Sequence, residues 1–366
     1  MRERAIIIGI LRPGEGEKVF RRLEELKELV KTAGGEVVDV IIQRRLKPDP
    51  AYYIGKGKAK EISELVQKLR IDMVVFDAKL SPTQLRNLTD IIPSKVLDKI
   101  DIVLDIFAQH ASSAEAKIQV ELAQLQNRLA KLRVAPGYFS RLGGGIGTRG
   151  PGETKLEIDR RRILHRISIL KRKLNDIERA RKERTKRHKD FFKVALVGYT
   201  SAGKTTLINA LTKSNLKESP SLFTTLDTFT RGMYLNGKTV LVYDTVGFIS
   251  DLPPQLIAAF RSTLSVANEA DLLLVVVDVS KPQFEEDLRV VEETLKAIGA
   301  GEKPKIYVFN KIDLLPSKES LERLKEKFDE DNAVFISAKT GENLENLKEK
   351  IWQRMNLSSE KGYYGH

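Results

Sequence analysis

The chain has 366 residues, no cysteine and four scattered histidines (His110, His165, His188 and His366). This excludes a disulfide scaffold, thiolate metal sites, a cysteine nucleophile and a histidine-rich metal centre. The apolar content of 41% is enough for packed cores, and apolar stretches as short as Leu272–Val277 cannot span a bilayer. The net charge of +13 is concentrated: residues 155–193 hold 16 Lys/Arg against 6 Asp/Glu, whereas residues 194–366 hold 21 against 24. A basic excess on one element is the electrostatic footprint of a polyanionic partner, with a solvated helix face as the plainer reading.

Residues 1–110 alternate strand-like and helix-like stretches. Ala5–Leu11, at the end of MRERAIIIGIL, reads as a first strand rather than a signal peptide, followed by strands at Glu36–Ile42 and Asp72–Asp77. In Glu17–Thr32, Phe20, Leu23, Leu26 and Val30 recur at helical spacing, and Lys58–Leu69 and Pro82–Asp90 are also helical. The expectation is a small α/β domain with a mainly parallel sheet.

Residues 111–190 change character. Ile118, Leu122, Leu125, Leu129 and Leu132 step by 4 and 3, as do Ile163, Ile167, Leu170, Leu174 and Ile177. Two such seams predict an antiparallel helical hairpin whose second helix carries the basic excess. Between them, residues 138–152 (YFSRLGGGIGTRGPG) contain six glycines and a proline, which cannot sustain a helix. Arginines and aromatics among glycines suit close contact with phosphates and bases, and a plain connector has the same composition.

Residues 191–355 carry the chemistry. The strand KVALVG runs into Gly198, Tyr199, Thr200, Ser201, Ala202, Gly203, Lys204, Thr205 and Thr206, matching GxxxxGK[ST], and a helical stretch follows. That context aims backbone N–H groups and a helix N-terminus at phosphates. Lys204 is the expected contact to β- and γ-phosphate oxygens, and Thr205 the expected Mg²⁺ ligand. The segment Phe223, Thr224, Thr225, Leu226, Asp227 is polar and threonine-rich; Thr225 is the second Mg²⁺ candidate, with Thr224 behind it. The strand TVLVY ends in Asp244, Thr245, Val246 and Gly247. Asp244 suits Mg²⁺ through its water shell, and the Gly247 N–H suits a γ-phosphate. After two further strands come Asn310, Lys311 and Asp313, then Ser337, Ala338 and Lys339, which support a base from the other side. A carboxylate at Asp313 accepts guanine N1–H and N2–H together, whereas adenine offers an acceptor at N1 and no N2 amine. The catalytic candidates are therefore Lys204, Thr225 and Gly247. Residues 356–366 read as a short polar tail.

The order GxxxxGKT, Thr225, DTVG, NKID, SAK resembles translation-factor-class GTPases. The strings GYTSAGKTT, LFTTLD, DTVGFI, VLDKIDIVLDIFAQHA and above all GGGIGTRGPGETKLEIDRRRI resemble the HflX family, over nearly the whole chain. The resemblance implies a P-loop GTPase that uses GTP and Mg²⁺, acts in the cytoplasm, binds the large ribosomal subunit and its ribosomal RNA through the hairpin, and splits or rescues stalled ribosomes. Arg141, Gly143, Gly144, Gly145 and Arg149 become the candidate RNA contacts, with no membrane role and a monomer off the ribosome. Related GTPases use an Asn to help hold a monovalent cation where Ser201 stands, so the resemblance carries no potassium requirement over to this chain. A C-terminal domain that some members have is expected to be absent.

One gap is chemical. Phe248 stands where many GTPases place a glutamine, and a phenyl ring cannot orient water. The expectation is slow hydrolysis alone, completed by the partner. The competing reading is a ribosome-binding adaptor for which GTP is mainly a conformational switch.

Overall fold

The β-branched run Arg4–Leu11 forms β1, buried on both faces from Ala5 to Ile8 as the inner strand of a parallel sheet must be. The computed structural model describes residues 2–132, 155–185, 191–212, 214, 223, 230–245, 247–249, 266–329 and 331–363, in two units, Met1–Ile177 and Glu178–His366. In the first unit β1 lies between β2 (Glu36–Arg44) and β3 (Met73–Phe76), with β4 (Lys95–Asp98) outermost, in the order β2-β1-β3-β4 and parallel throughout.

The crossover helices are α1 (Gly16–Thr32), α2 (Lys56–Leu69) and α3 (Pro82–Ile91). In α1 the buried stripe is Val19, Leu23, Leu26 and Val30, whereas Phe20 is 57% exposed. One residue turns a helix by about 100°, so Val19 completes the 4-3-4 stripe and Phe20 falls beside it. The four-residue β4 and the helix after it, α4 (Lys99–His110), have no counterpart among the predicted elements. A strand that short shows no period, and α4 buries seven of its first nine residues, so it carries little alternation.

The helical region follows the expected seam. Helices α5 (Ala114–Leu132) and α6 (Lys155–Thr185) bury Leu122, Leu132, Ile163, Ile167 and Leu170 together, with Ile118, Leu125, Leu129 and Leu174 half-buried beside them. Arg166 adds a two-pronged ion pair to Glu121, at 2.6 and 2.9 Å. The glycine-rich stretch with Arg141, Gly143–Gly145 and Arg149 lies outside the described residues.

At its last turn α5 is fastened to the start of α4. Lys131 Nζ lies 2.6 and 2.5 Å from the two Asp101 carboxylate oxygens and 3.3 Å from Asp98 Oδ2, and Asn127 donates to Asp101 at 2.8 Å. Asp98 and Asp101 also form the α4 capping box. Burial first, then the Asp101 charge, push the Asp98 carboxyl up to about 7, against the pull of Lys131. A carboxyl raised in the folded state adds stability at low pH that is lost as pH rises to its folded value. Asp98→Asn keeps a good cap and leaves the Lys131–Asp101 pair intact. Urea unfolding should therefore show the wild-type stability falling relative to this variant by about 1–3 kcal/mol between about pH 5 and pH 8. A constant difference would show that Asp98 does not titrate in that window.

The second unit is built on β5 (Phe192–Gly198), β6 (Thr230–Leu235), β7 (Lys238–Asp244), β8 (Leu272–Asp278), β9 (Lys305–Asn310) and β10 (Ala333–Phe335), in the order β10-β9-β8-β5-β7-β6. All neighbours are parallel except β6 and β7. Helices α7 (Lys204–Thr212), α8 (Phe284–Ala297), α9 (Lys318–Lys327) and α10 (Leu344–Tyr363) connect and complete it. Edge strand β6 also went unpredicted; its signal is the Asn236-Gly237 turn, with both residues at positive φ. The five parallel strands end at one edge of the sheet, and chain order reverses on either side of β5. Ligands of open α/β sheets bind at that edge, beside the reversal.

Candidate functional site

The loop after β5 wraps on itself through Ser201 (φ 61°) and Gly203 (φ 92°) before α7 begins at Lys204. Successive residues of opposite hand turn backbone N–H groups into one concavity, which is an anion cradle. Serine tolerates the left-handed region less well than asparagine or glycine, so Ser201 holds a mildly strained position.

Lys204 is 7% exposed, and its Nζ donates to Gly198 O (3.1 Å) and Tyr199 O (3.0 Å), closing the loop over its own side chain. Burial lowers its pKa to about 8; Asp244 opposes that shift and Lys281 adds to it. Incoming phosphates would restore the charge. Nucleotide binding near pH 9 should therefore take up close to one proton, and affinity should fall as pH rises above about 8. Calorimetry of GDP binding in two buffers of different ionisation enthalpy measures this; identical heats would rule it out.

Thr205 Oγ1 donates to Asp244 Oδ2 at 3.1 Å, and Asp244 is fully buried at the end of β7. A hydroxyl and a carboxylate at hydrogen-bond distance, beside the phosphate cradle, are a hard-oxygen donor set that fits Mg²⁺, an ion held by one or two carboxylates plus phosphate and water oxygens. Among the described residues no group of three or more His, Cys, Asp or Glu offers another metal site. Thr245 Oγ1 donates to Leu196 O at 2.6 Å and anchors the turn after β7. Phe248 then pairs in parallel with Tyr199: its N–H donates to Gly198 O (3.1 Å), and its carbonyl accepts from the Thr200 N–H (2.8 Å). The Phe248 ring is 1% exposed, so it belongs to the core.

The turns after β9 and β10 are braced by Asn310, 2% exposed. Its Nδ2 donates to Ala202 O (2.9 Å), and its Oδ1 accepts from the Ala338 N–H (2.9 Å), joining the phosphate loop to the turn after β10. Lys311 takes the left-handed conformation and pairs with Asp278 at 2.7 Å. Asp313 sits exposed in the short 3-10 turn Ile312–Leu314, tied to the next loop by the Ile312 N–H donating to Ile336 O. Ser337 is buried and accepts from the Thr340 N–H, while Lys339 is exposed.

The described part of the site thus gathers Gly198–Thr206, Asp244, Thr245, Gly247, Asn310, Lys311, Ser337 and Ala338 along one sheet edge, with Asp313 and Lys339 on its flanking turns. Phe223 is described and buried; Thr224, Thr225, Leu226, Asp227 and Val246 lie outside the described residues. Sequence reasoning missed Asp278, which holds Lys311, and Lys281, whose Nζ stands 5.8 Å from the centre of the Tyr199 ring. A carboxylate closing an otherwise apolar strand at the ligand edge is the signal that finds Asp278.

Comparison with known proteins finds relatives along most of the chain. Four family profiles match in chain order: "GTP-binding GTPase N-terminal" (residues 21–108), "GTP-binding GTPase Middle Region" (110–188), "50S ribosome-binding GTPase" (193–311) and the C-terminal region of that last domain (299–357). The chain is 46% identical to GTPase HflX of Caldanaerobacter subterraneus over 96% of its own length and 80% of that protein. It is 42% identical to GTPase HflX of Escherichia coli K12, over 93% and 80%. Among solved structures it is similar to a GDP complex of SsGBP, with 28% identity, TM-score 0.53, and coverage of 98% of this chain and all of the other.

Proposed function

Since the chain belongs to the HflX family of GTPases, we propose that it couples GTP hydrolysis to binding of the large ribosomal subunit and separates or rescues stalled ribosomes. The observation that carries the partner is the division of α6. Its apolar residues fill the seam with α5, while Arg160, Arg162, Lys171, Arg172 and Lys173 remain exposed, a cationic face suited to ribosomal RNA. Arg141, Gly143–Gly145 and Arg149 are the proposed tip contacts. Among the described residues no helix is long and apolar enough to cross a membrane. The proposed setting is the cytoplasm, with a monomer off the ribosome.

In the proposed chemistry Lys204 neutralises β- and γ-phosphate oxygens as charge moves toward the leaving GDP. Thr205, Thr225 and Asp244, the last through water, would hold Mg²⁺. That ion, when bound, adds positive charge at the β- and γ-phosphate oxygens. The Gly247 N–H reads the γ-phosphate, and Asp313 selects guanine with Asn310, Ser337, Ala338 and Lys339 behind it. The burial of Phe248 supports slow turnover alone and stimulation by the partner. It also keeps the switch-like adaptor as a second reading, which single-turnover hydrolysis with and without large subunits distinguishes.

Sedimentation with separated ribosomal subunits in GTP, GDP and a non-hydrolysable analogue tests the partner. Co-sedimentation with the large subunit in the triphosphate state, weakening steeply with salt, is expected. Equal association in all three nucleotide states, or preference for the small subunit, would contradict the proposal.

A further inference from the structure

With Phe248 turned into the core, no side chain so far assigned handles the attacking water, yet one polar group at the phosphate end has no structural task. Thr200 is 3% exposed. Its N–H donates to Phe248 O, but among the described residues its Oγ1 is buried without a hydrogen-bond partner. A valine would fill the same space without leaving a hydroxyl unsatisfied, so this hydroxyl is a cost to the fold that packing does not explain.

Its surroundings suggest the explanation. A Cβ added to Gly247 would lie 2.8 Å from Thr200 Cγ2, 2.9 Å from Thr200 Cα and 3.1 Å from Lys204 Nζ. Thr200, the ammonium group and the glycine therefore converge on one point, with room for no side chain at position 247. Lys204 and Gly247 are the two groups read above as handling the γ-phosphate, so Thr200 stands at that phosphate's end of the cradle, its hydroxyl sharing a Cβ with the methyl that faces Gly247.

We infer that Thr200 is a catalytic residue for GTP hydrolysis, its hydroxyl holding the attacking water against the γ-phosphate in place of the glutamine that Phe248 replaces. The inference rests on the phosphate roles given to Lys204 and Gly247. In the step, the water oxygen bonds to the γ-phosphorus. The bond from that phosphorus to the β–γ bridging oxygen breaks, and its electron pair leaves on GDP. One water proton passes to an oxygen of the departing phosphate, and the other stays on the new P–OH. Thr200 Oγ1 accepts a hydrogen bond from the water, its own O–H donates to a γ-phosphate oxygen, and it keeps its proton throughout.

The test uses full-length Thr200→Val and Thr200→Ser, with kcat and KM for GTP, GDP affinity by calorimetry, and thermal unfolding without nucleotide. Thr200→Val should lower kcat about tenfold, the scale of one hydrogen bond lost in the transition state, with GDP affinity within about twofold of wild type. Its nucleotide-free midpoint should rise, because the unsatisfied hydroxyl is gone. Thr200→Ser should restore kcat. Wild-type kcat in the valine variant would overturn the inference, as would a serine variant as slow as the valine one, or GDP affinity falling in step with kcat. Absence of GTP turnover in the wild type, alone and with large subunits, would instead overturn the reading of the site on which the inference stands.

Discussion

Asp313→Asn should lose GTP affinity by about 100-fold or more and bind xanthosine triphosphate better than the wild type does. In the proposed base recognition the carboxylate accepts two hydrogen bonds from guanine, and hydrogen bonds to a charged group are worth about 1.5–3 kcal/mol each. An asparagine amide can accept only one of them, and it turns an N–H toward the guanine amine. The same amide matches xanthine, which carries an oxygen at C2. Asp313 is exposed in its turn, and the bonds that position it belong to neighbours: Lys311 to Asp278, Asn310 to Ala202 and Ala338, and the Ile312 N–H to Ile336 O. The unfolding midpoint should therefore stay within the error of the wild type. Calorimetric titration with both nucleotides decides it; undiminished GTP affinity would remove Asp313 from base recognition.

Gly203→Ala should have a larger and different effect, abolishing nucleotide binding and destabilising the second unit together. Gly203 sits at φ 92°, where an L side chain is strained, and an added Cβ would fall 2.3 Å from Asn310 Nδ2. That amide has no slack. It bonds Ala202 on one side and Ala338 on the other, so moving it breaks contacts that hold the phosphate loop and the base loop in one frame. Backbone strain plus lost buried hydrogen bonds amounts to about 2–4 kcal/mol. Gly341→Ala is the control: φ is 85°, but nothing lies within 4 Å of the added atom, so only strain of about 1 kcal/mol is expected there. Urea unfolding and GDP titration of the two variants should separate them clearly. Equal loss in both would mean that the Asn310 clash is unimportant.

The two variants also mark what the chain's local pattern reveals. Residue types that act through their own turn were legible in sequence: the glycines and Lys204 after β5, Asp244 at the end of β7, and Asn310 to Asp313 after β9. So was the α5–α6 seam, because steps of 4 and 3 keep one face apolar whatever lies opposite. Contacts between distant residues were not legible. Asn310 reaches Ala202 across 108 residues, and nothing in NKID says that its asparagine braces the phosphate loop rather than the base. The Lys311–Asp278 pair, the burial of Phe248 and the unsatisfied Thr200 hydroxyl are of this kind. Phe20 shows the same limit on a smaller scale, since its hydrophobicity suits a core stripe and only the packing of α1 shows that Val19 fills it. For β4 the limit is its four-residue length, whereas β6 is marked by the Asn236-Gly237 turn that pairs it with β7 rather than by its own alternation.

Guanine selectivity in a pocket that Lys204, Asn310 and Asp313 build together is the claim from which the rest follows. Calorimetric titration of the wild-type chain with GDP and with ADP, both with Mg²⁺, tests it most directly. GDP should bind at least about 100-fold more tightly than ADP, as two charge-assisted hydrogen bonds to the base require. Equal affinity for the two nucleotides would contradict it.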